Sequence, residues 1–295
     1  VGDGAFHTLG NRIIGPDGQV FIPRGVNKGS LEGSSTGWDL RWWEFVSMRG
    51  WGANMVRIPL SAAFWLPTSC DYDPAYAARV DEVVSWAESQ KMLVLLDDHT
   101  TGRGATCGAP GWSGNYEMAD ASSKEFVRQL AVRYQGHPYV AFDLYNEPRD
   151  ISDAVWRDGG NVNGWQAVGM QSLLDTVRST GAKNLVFVSG NNWANDLRMV
   201  AQHRLRGDAD VVYAAHSYAF ECNGRPVPPS DVYECDGQPH PPHLDTWVGP
   251  VAGAVPVMIT EFGTIRDNGT DLAAVIAWAE ARGIGWSAYN WDVGS

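Results

Sequence analysis

Two glutamates follow apolar runs directly. Glu147 closes "AFDLYNE" ahead of Pro148, and Glu261 closes "VMITE" ahead of Phe262. A carboxylate in that position is partly desolvated and needs partners. Arg57 in "MVRIPLS", His99 in "LLDDHT" and His216 in "AAHSY" end comparable runs and are candidates to supply them. Two carboxylates facing each other across a groove are the working parts of most glycosidases: one donates a proton to the departing oxygen, and the other, ionised, attacks the anomeric carbon. Like-charge proximity raises one pKa, and an arginine beside the other lowers it. The plainer alternatives are a turn or cap carboxylate at Glu147 and a purely structural ion pair at Glu261.

The elements that must hold these residues read as a regular alternation. Apolar runs at 53–60, 92–97, 140–145, 185–190, 211–216, 256–261 and 284–290 predict strands, and 20–26 predicts the first of the set. Continuous apolar runs of this length suit strands buried on both faces, as in parallel sheets. Helical periodicity lies between them. In "YAARVDEVVSWAES" the residues Ala77, Val80, Val84 and Ala87 share one face, and in "DLAAVIAWAEA" so do Leu272, Val275, Ile276 and Ala279. Further helices are predicted at 38–49, 122–135, 164–180, 194–205 and 243–253. Eight strand–helix units predict an α/β fold, a (β/α)8 TIM barrel. A doubly wound open sheet is the rival, but no Gly-x-Gly-x-x-Gly follows an early strand. Pro16-Asp17-Gly18 predicts an N-terminal β-hairpin over 1–22, placed at the barrel bottom. The whole of 1–295 reads as a single catalytic domain, with an eighth helix apparently missing after the last strand.

Function in such barrels sits at the C-terminal ends of the strands. Those ends carry Arg57, then Asp97, Asp98 and His99, then Asn146 and Glu147, then His216 and Tyr218, then Glu261, then Trp291. Asp97 and Asp98 with His99 could form a metal site, but no second ligand pair with known spacing accompanies them, so the expectation is no metal and no cofactor. Of the 14 tryptophans some must be core. Flat amphipathic rings suit the apolar faces of sugars, and Trp38, Trp112 and Trp193 are candidate platforms, whereas Trp42, Trp43, Trp86 and Trp278 fall in helical patterns and suit packing.

The net charge of −12 disfavours nucleic acid as a partner. No run of about 18 apolar residues predicts a membrane span. The four cysteines show no zinc-type spacing. Cys222 and Cys235 enclose a Pro/Gly-rich segment, and Cys70 and Cys107 each follow a predicted strand by roughly ten residues. Disulfides 70–107 and 222–235 are expected, and with them a secreted protein. Four unpaired thiols in a cytosolic protein is the alternative.

The segments "LYNEP", "HSY" and "TEFG", in this order and spacing, resemble glycoside hydrolase family 5, of the clan with both catalytic glutamates on strands four and seven. The resemblance runs from "IPRGVN" to "YNWD". It implies Glu147 as acid/base and Glu261 as nucleophile, Asn146 on the sugar 2-hydroxyl, and His216 and Tyr218 beside the acid/base and the nucleophile. It also implies Arg57 and His99 as positioning residues and Trp291 as the platform at the cleavage point. "DDHT" departs from the family, where an aromatic or apolar residue often precedes the histidine. The implied activity is a retaining endo-β-1,4-glycosidase, an endoglucanase (cellulase) acting on a polysaccharide as a monomer. A β-mannanase or other β-glycan hydrolase is the alternative within the family. A non-catalytic carbohydrate-binding barrel and a metal-dependent barrel hydrolase are the alternatives outside it.

Overall fold

The computed structural model describes residues 4–101, 116–219, 244–264 and 269–292. Eight parallel strands close into a barrel: β1 (Arg24–Asn27), β2 (Met55–Ser61), β3 (Leu93–Thr100), β4 (Val140–Asp143), β5 (Val186–Ser189), β6 (Val211–Ala219), β7 (Val257–Thr264) and β8 (Gly285–Ala288). The last pairs with the first, Trp286 opposite Arg24 and Ala288 opposite Val26.

Alternation along each strand builds two separate apolar layers. Met55, Leu93, Leu95, Ala141, Leu185, Phe187, Val212, Ala214 and Met258 form one buried cluster inside the barrel. Their neighbours Val56, Val94, Leu96, Phe142, Val186, Val188 and Ile259 join a larger cluster with the helices. A strand buried on both sides must be apolar at every position, which is why these segments read as unbroken runs.

The outer ring contains α1 (Trp42–Gly50), α2 (Tyr76–Ser89), α3 (Ala121–Tyr134), α4 (Met170–Ser179) and α5 (Gly269–Arg282). In α2 the buried residues Tyr76, Val80, Val83, Val84 and Ala87 make one stripe. α3 starts at Asp120, whose carboxylate accepts from the backbone N–H groups of Ser122 and Ser123. Among the described residues no helix follows β8. Its outer face carries Trp286, whose indole N–H donates to Glu280 at 2.9 Å, and nearby Trp51 is 85 % exposed.

The N-terminal segment is three-stranded: His7–Leu9, Arg12–Ile14 and Val20–Phe21 pair antiparallel, the last two around Pro16-Asp17-Gly18. Phe6 and Ile13 join the cluster inside the barrel and close its lower end. The predicted first strand, 20–26, is divided at Pro23, which has no backbone N–H for the ladder. Val20–Phe21 stays in the small sheet, and β1 begins at Arg24.

Three predicted helices differ. Over 164–180, helix occupies only α4; ahead of it lies a hairpin, Gly160–Val162 with Trp165–Ala167, turned by Asn163 and Gly164 at φ of 47° and 92°. Asn-Gly with both residues at positive φ is the favoured two-residue hairpin turn, so the signal was present in the sequence. Over 194–205 only Val200–His203 is helical. Over 243–253 a π-helical turn, Leu244–Val248, leads into a short helix, Gly249–Ala252.

Candidate active site

The inward-facing parity that makes the lower core turns polar at the upper ends of the strands. Met55 is followed two residues on by Arg57, Leu95 by Asp97, Ala141 by Asp143, Phe187 by Ser189 and Ala214 by His216. All five polar residues are fully buried. On β7 the register shifts: His216 lies opposite Glu261 while Ala215 lies opposite Ile259, so Thr260 is an extra residue. This bulge re-aims the strand end, which by simple alternation would have turned Thr260 inward after Met258.

Arg57 is the hub. Its Nε donates to Asp143 Oδ2 at 3.1 Å, Nη1 to Asn27 Oδ1 at 3.1 Å and to Glu261 Oε1, and Nη2 to Asn146 Oδ1 at 2.9 Å. Asp97 Oδ2 lies 3.0 Å from Nη2 and also bonds His99 Nδ1 at 2.7 Å. One buried cation thus faces three carboxylates. Burial pushes Asp143 up to about 6 even though Arg57 opposes it. For His99 burial works against the charged form, but the Asp97 carboxylate outweighs it and raises the imidazole to about 9.

Glu261 is held from both sides. Arg57 takes Oε1, and the Tyr218 hydroxyl donates to Oε2 at 2.6 Å. Burial alone would raise this carboxyl, but His216, Arg57, His99 and the Tyr218 bond outweigh burial and hold it at about 2. Glu261 is therefore ionised at neutral pH. The Tyr218 phenol is pushed up by burial and by the charge of Glu261, so it stays a donor.

Glu147 is held differently. Its side chain is 23 % exposed, and its backbone sits at φ +53°, a conformation that side-chain-bearing residues adopt at a cost. His216 Nδ1 lies 2.9 Å from Glu147 Oε1 and 3.7 Å from Glu261 Oε2. Burial opposes protonation of His216, but the two glutamates outweigh it and shift the imidazole upward. A carboxylate oxygen of Glu147, a ring nitrogen of His216 and a carboxylate oxygen of Glu261 all lie within 4.8 Å of one another. That trio could hold a metal by spacing alone. Both Glu261 oxygens, however, already accept from Arg57 and Tyr218, which suits a carboxylate kept for reaction over a metal ligand.

A cavity of about 330 Å³ opens over these groups, lined by His99, Glu147, Trp193, Asn195, Tyr218, Glu261 and Tyr289. The structure thus brings Glu147, Glu261, His99, His216, Tyr218, Arg57 and Asn146 to one place. It does not bring Trp291 there. The Trp291 ring packs edge-on against Trp51 at 6.2 Å, and its backbone N–H donates to Asn27. The cavity wall from that strand end is Tyr289 instead, two residues after inward-facing Ser287, so the parity that the strand already shows would have found it. Trp193 lines the cavity, whereas Trp38 is exposed, lies against Gly33 and is no part of the lining. Asn27, Asp143 and Asn195 were not singled out from the sequence. Asp97 is a partner of Arg57 and His99, and Asp98, on the opposite face of β3, is buried away from it, its carboxyl pushed well up chiefly by desolvation. Cys70 is disulfide-bonded; Cys107, Cys222, Cys235 and Trp112 lie outside the described residues.

A closed eight-stranded barrel with paired acids at the ends of its fourth and seventh strands defines the class of barrel glycoside hydrolases. The chain belongs to glycosyl hydrolase family 5: the profile described as "Cellulase (glycosyl hydrolase family 5)" matches residues 31–295. It is 26% identical over 301 residues to a mannan endo-1,4-beta-mannosidase of Streptomyces lividans, covering 98% of this chain and 66% of that protein. It is 25% identical over 174 residues to endoglucanase C of Evansella cellulosilytica, covering 57% of this chain and 21% of that one. The chain thus spans less than two thirds of the length of these curated relatives. Among solved structures, the catalytic domain of Thermobifida fusca endoglucanase Cel5A superposes with a TM-score of 0.73 at 16% identity, covering 99% of this chain and 86% of that one. The catalytic domain of a mannanase from Streptomyces sp. SirexAA-E gives 0.69 at 21% identity, covering 100% and 83%. At these identities the structural likeness supports the fold.

Proposed function

We propose that this chain is a retaining endo-β-1,4-glycosidase, an endoglucanase that cleaves β-1,4-glucan by double displacement. The carrying observation is the approach of the Glu147 and Glu261 carboxylate oxygens to within 4.8 Å. Retaining enzymes hold their two carboxyls about 5–5.5 Å apart, whereas inverting ones leave about 6.5–9.5 Å for a water.

In this mechanism Glu261, ionised and held by Arg57 and Tyr218, attacks the anomeric carbon. Glu147 protonates the departing glycosidic oxygen, and the bond to that oxygen breaks as the glycosyl–Glu261 ester forms. Glu147 then takes a proton from water, which displaces Glu261 and restores both groups. Asn146 spends its carbonyl oxygen on Arg57, so its amide N–H groups are turned to donate, and the sugar 2-hydroxyl is the recipient we assign. Tyr289 takes the platform role at the cleavage point. The disulfide at Cys70 supports reading the protein as one of an oxidising compartment, hence secreted, and it is read as a monomer.

A second reading, a β-mannanase, is favoured by the Streptomyces lividans mannosidase, whose match covers 98% of this chain. One experiment decides: cellulose, mixed-linkage glucan, glucomannan, mannan and xylan are digested, and the anomer first released is followed by proton NMR. The expected result is β-anomer released from glucan. Greater activity on mannan selects the second reading, and an α-anomer first product removes Glu261 as nucleophile.

A further inference from the structure

Arg149 stands two residues beyond Glu147. Its guanidinium lies 4.3 Å from the centroid of the Trp193 ring. Its Nη1 donates to the carbonyls of Glu147 and Tyr116, each at 3.3 Å. Its backbone N–H donates to Glu117 O at 2.9 Å. The segments that follow β3, β4 and β5 therefore meet on this one residue.

What it touches is conformationally costly. Glu147 is at φ +53°, and Asn192, Trp193 and Ala194 follow one another at +55°, +58° and +59°. Left-handed backbone is unfavourable for residues with side chains and rarely occurs in succession. Backbone bonds tie this turn on both sides: Trp193 N–H donates to Pro148 O at 2.9 Å, and His216 N–H to Ala194 O at 3.0 Å. The turn is thus fastened to the segments that carry Glu147 and His216. It presents a ring that stacks on the Arg149 guanidinium, lines the cavity and stays 39 % exposed.

We propose that Arg149 is a positioning residue that fixes the backbone of Glu147 and seats Trp193 as the stacking platform for the sugar on the leaving-group side of the scissile bond. This rests on the glycosidase reading above. Around the closed barrel, β4 and β7 divide the mouth into two halves. Arg57, His99 and Tyr289 rise from the half containing β8 and β1–β3, around the nucleophile. Trp193 and Asn195 rise from the β5–β6 half, beside the carboxyl that must reach the departing oxygen. An aromatic ring matches the apolar C–H face of a pyranose, and a cation stacked on one face of the ring locks its orientation.

The test compares wild type, Arg149→Met, Arg149→Lys and Trp193→Ala on two substrates of the sugar that the wild type hydrolyses. One is a β-1,4 oligosaccharide. The other is a dinitrophenyl glycoside, whose leaving group carries no sugar and needs no proton, so its kcat/KM reports neither function assigned to Arg149. Arg149→Met is expected to lower kcat/KM on the oligosaccharide about tenfold or more, and on the aryl glycoside less than about twofold. Trp193→Ala should show the same selectivity, mainly through KM, and Arg149→Lys should recover part of the loss. Equal losses on both substrates, or no loss on the oligosaccharide, overturn the proposal. Should Arg149→Met show no cooperative melt, an unchanged substrate ratio in Trp193→Ala overturns it instead. A wild type inactive on every β-glycan sinks the underlying reading, a result distinct from either.

Discussion

The lower and upper halves of the barrel are built from the same strands with the same alternation, yet they solve opposite problems. Below, Met55, Leu93, Leu95, Phe187 and Met258 fill the interior, and Phe6 and Ile13 close it. Above, the same inward positions carry Arg57, Asp97, Asp143, Ser189 and His216, fully buried but polar. The lower half needs only shape and volume. The upper half works only as a connected set, since each buried charge needs its partner. That is the difference between a layer that stabilises and a layer that reacts.

The largest effect that sharpens this contrast is on turnover. Glu261→Gln keeps the size of the side chain and removes the carboxylate proposed as nucleophile, and should cut kcat by at least about a thousandfold while binding of oligosaccharide, measured by calorimetry, persists. Near-normal turnover would erase the distinction between the halves.

Next come paired substitutions at equivalent depth. Arg57→Met strands Asp97, Asp143 and Glu261 without their cation and should cost about 3–5 kcal/mol in denaturant unfolding, with activity abolished. Phe187→Ala, in the lower layer, should cost a similar ~3–5 kcal/mol by leaving a cavity, yet leave kcat and its pH profile unchanged in the protein that remains folded. If Phe187→Ala also abolished activity or shifted the pH profile, the two layers would not be separable.

The smallest effect concerns pH. His99 is raised to about 9 by Asp97. A group whose folded pKa is raised gives stability that is complete below its unfolded value, near 6.5, and is lost as pH rises through the folded one. The melting temperature of the wild type should therefore fall between about pH 6.5 and pH 9 by more than that of His99→Gln. Parallel curves would show that the His99–Asp97 pair carries no net stability.

Much of the site could be read from strand ends. Glu147, Glu261, Arg57, Asn146, His99, His216 and Tyr218 were all visible because a polar residue closing an apolar run is unusual and easily noticed. Asp143 and Asn27 were missed although each closes its strand: in the sequence Asp143 lies within the apolar run 140–145 and Asn27 just past 20–26, and what exposes them is their side-chain bonds to Arg57, which join β1, β2 and β4. The family resemblance implies Trp291, in "YNWD" beyond the last strand, as the platform. Tyr289 lines the cavity because it keeps the inward parity of Ser287, and once the strand ends nothing obliges Trp291 to follow.

The sequence by itself determined the barrel, since period and length of apolar runs are local properties that a parallel, doubly buried strand imposes on its residues. It also determined which acids stand at the strand ends. Only the tertiary structure decided how those acids behave. The extra residue at Thr260, the left-handed backbone of Glu147 and of the Asn192–Ala194 turn, and the three-carboxylate environment of Arg57 all depend on strands and loops far apart in the chain. Electrostatic partners are set by distance in space, and no periodicity along a single strand encodes them.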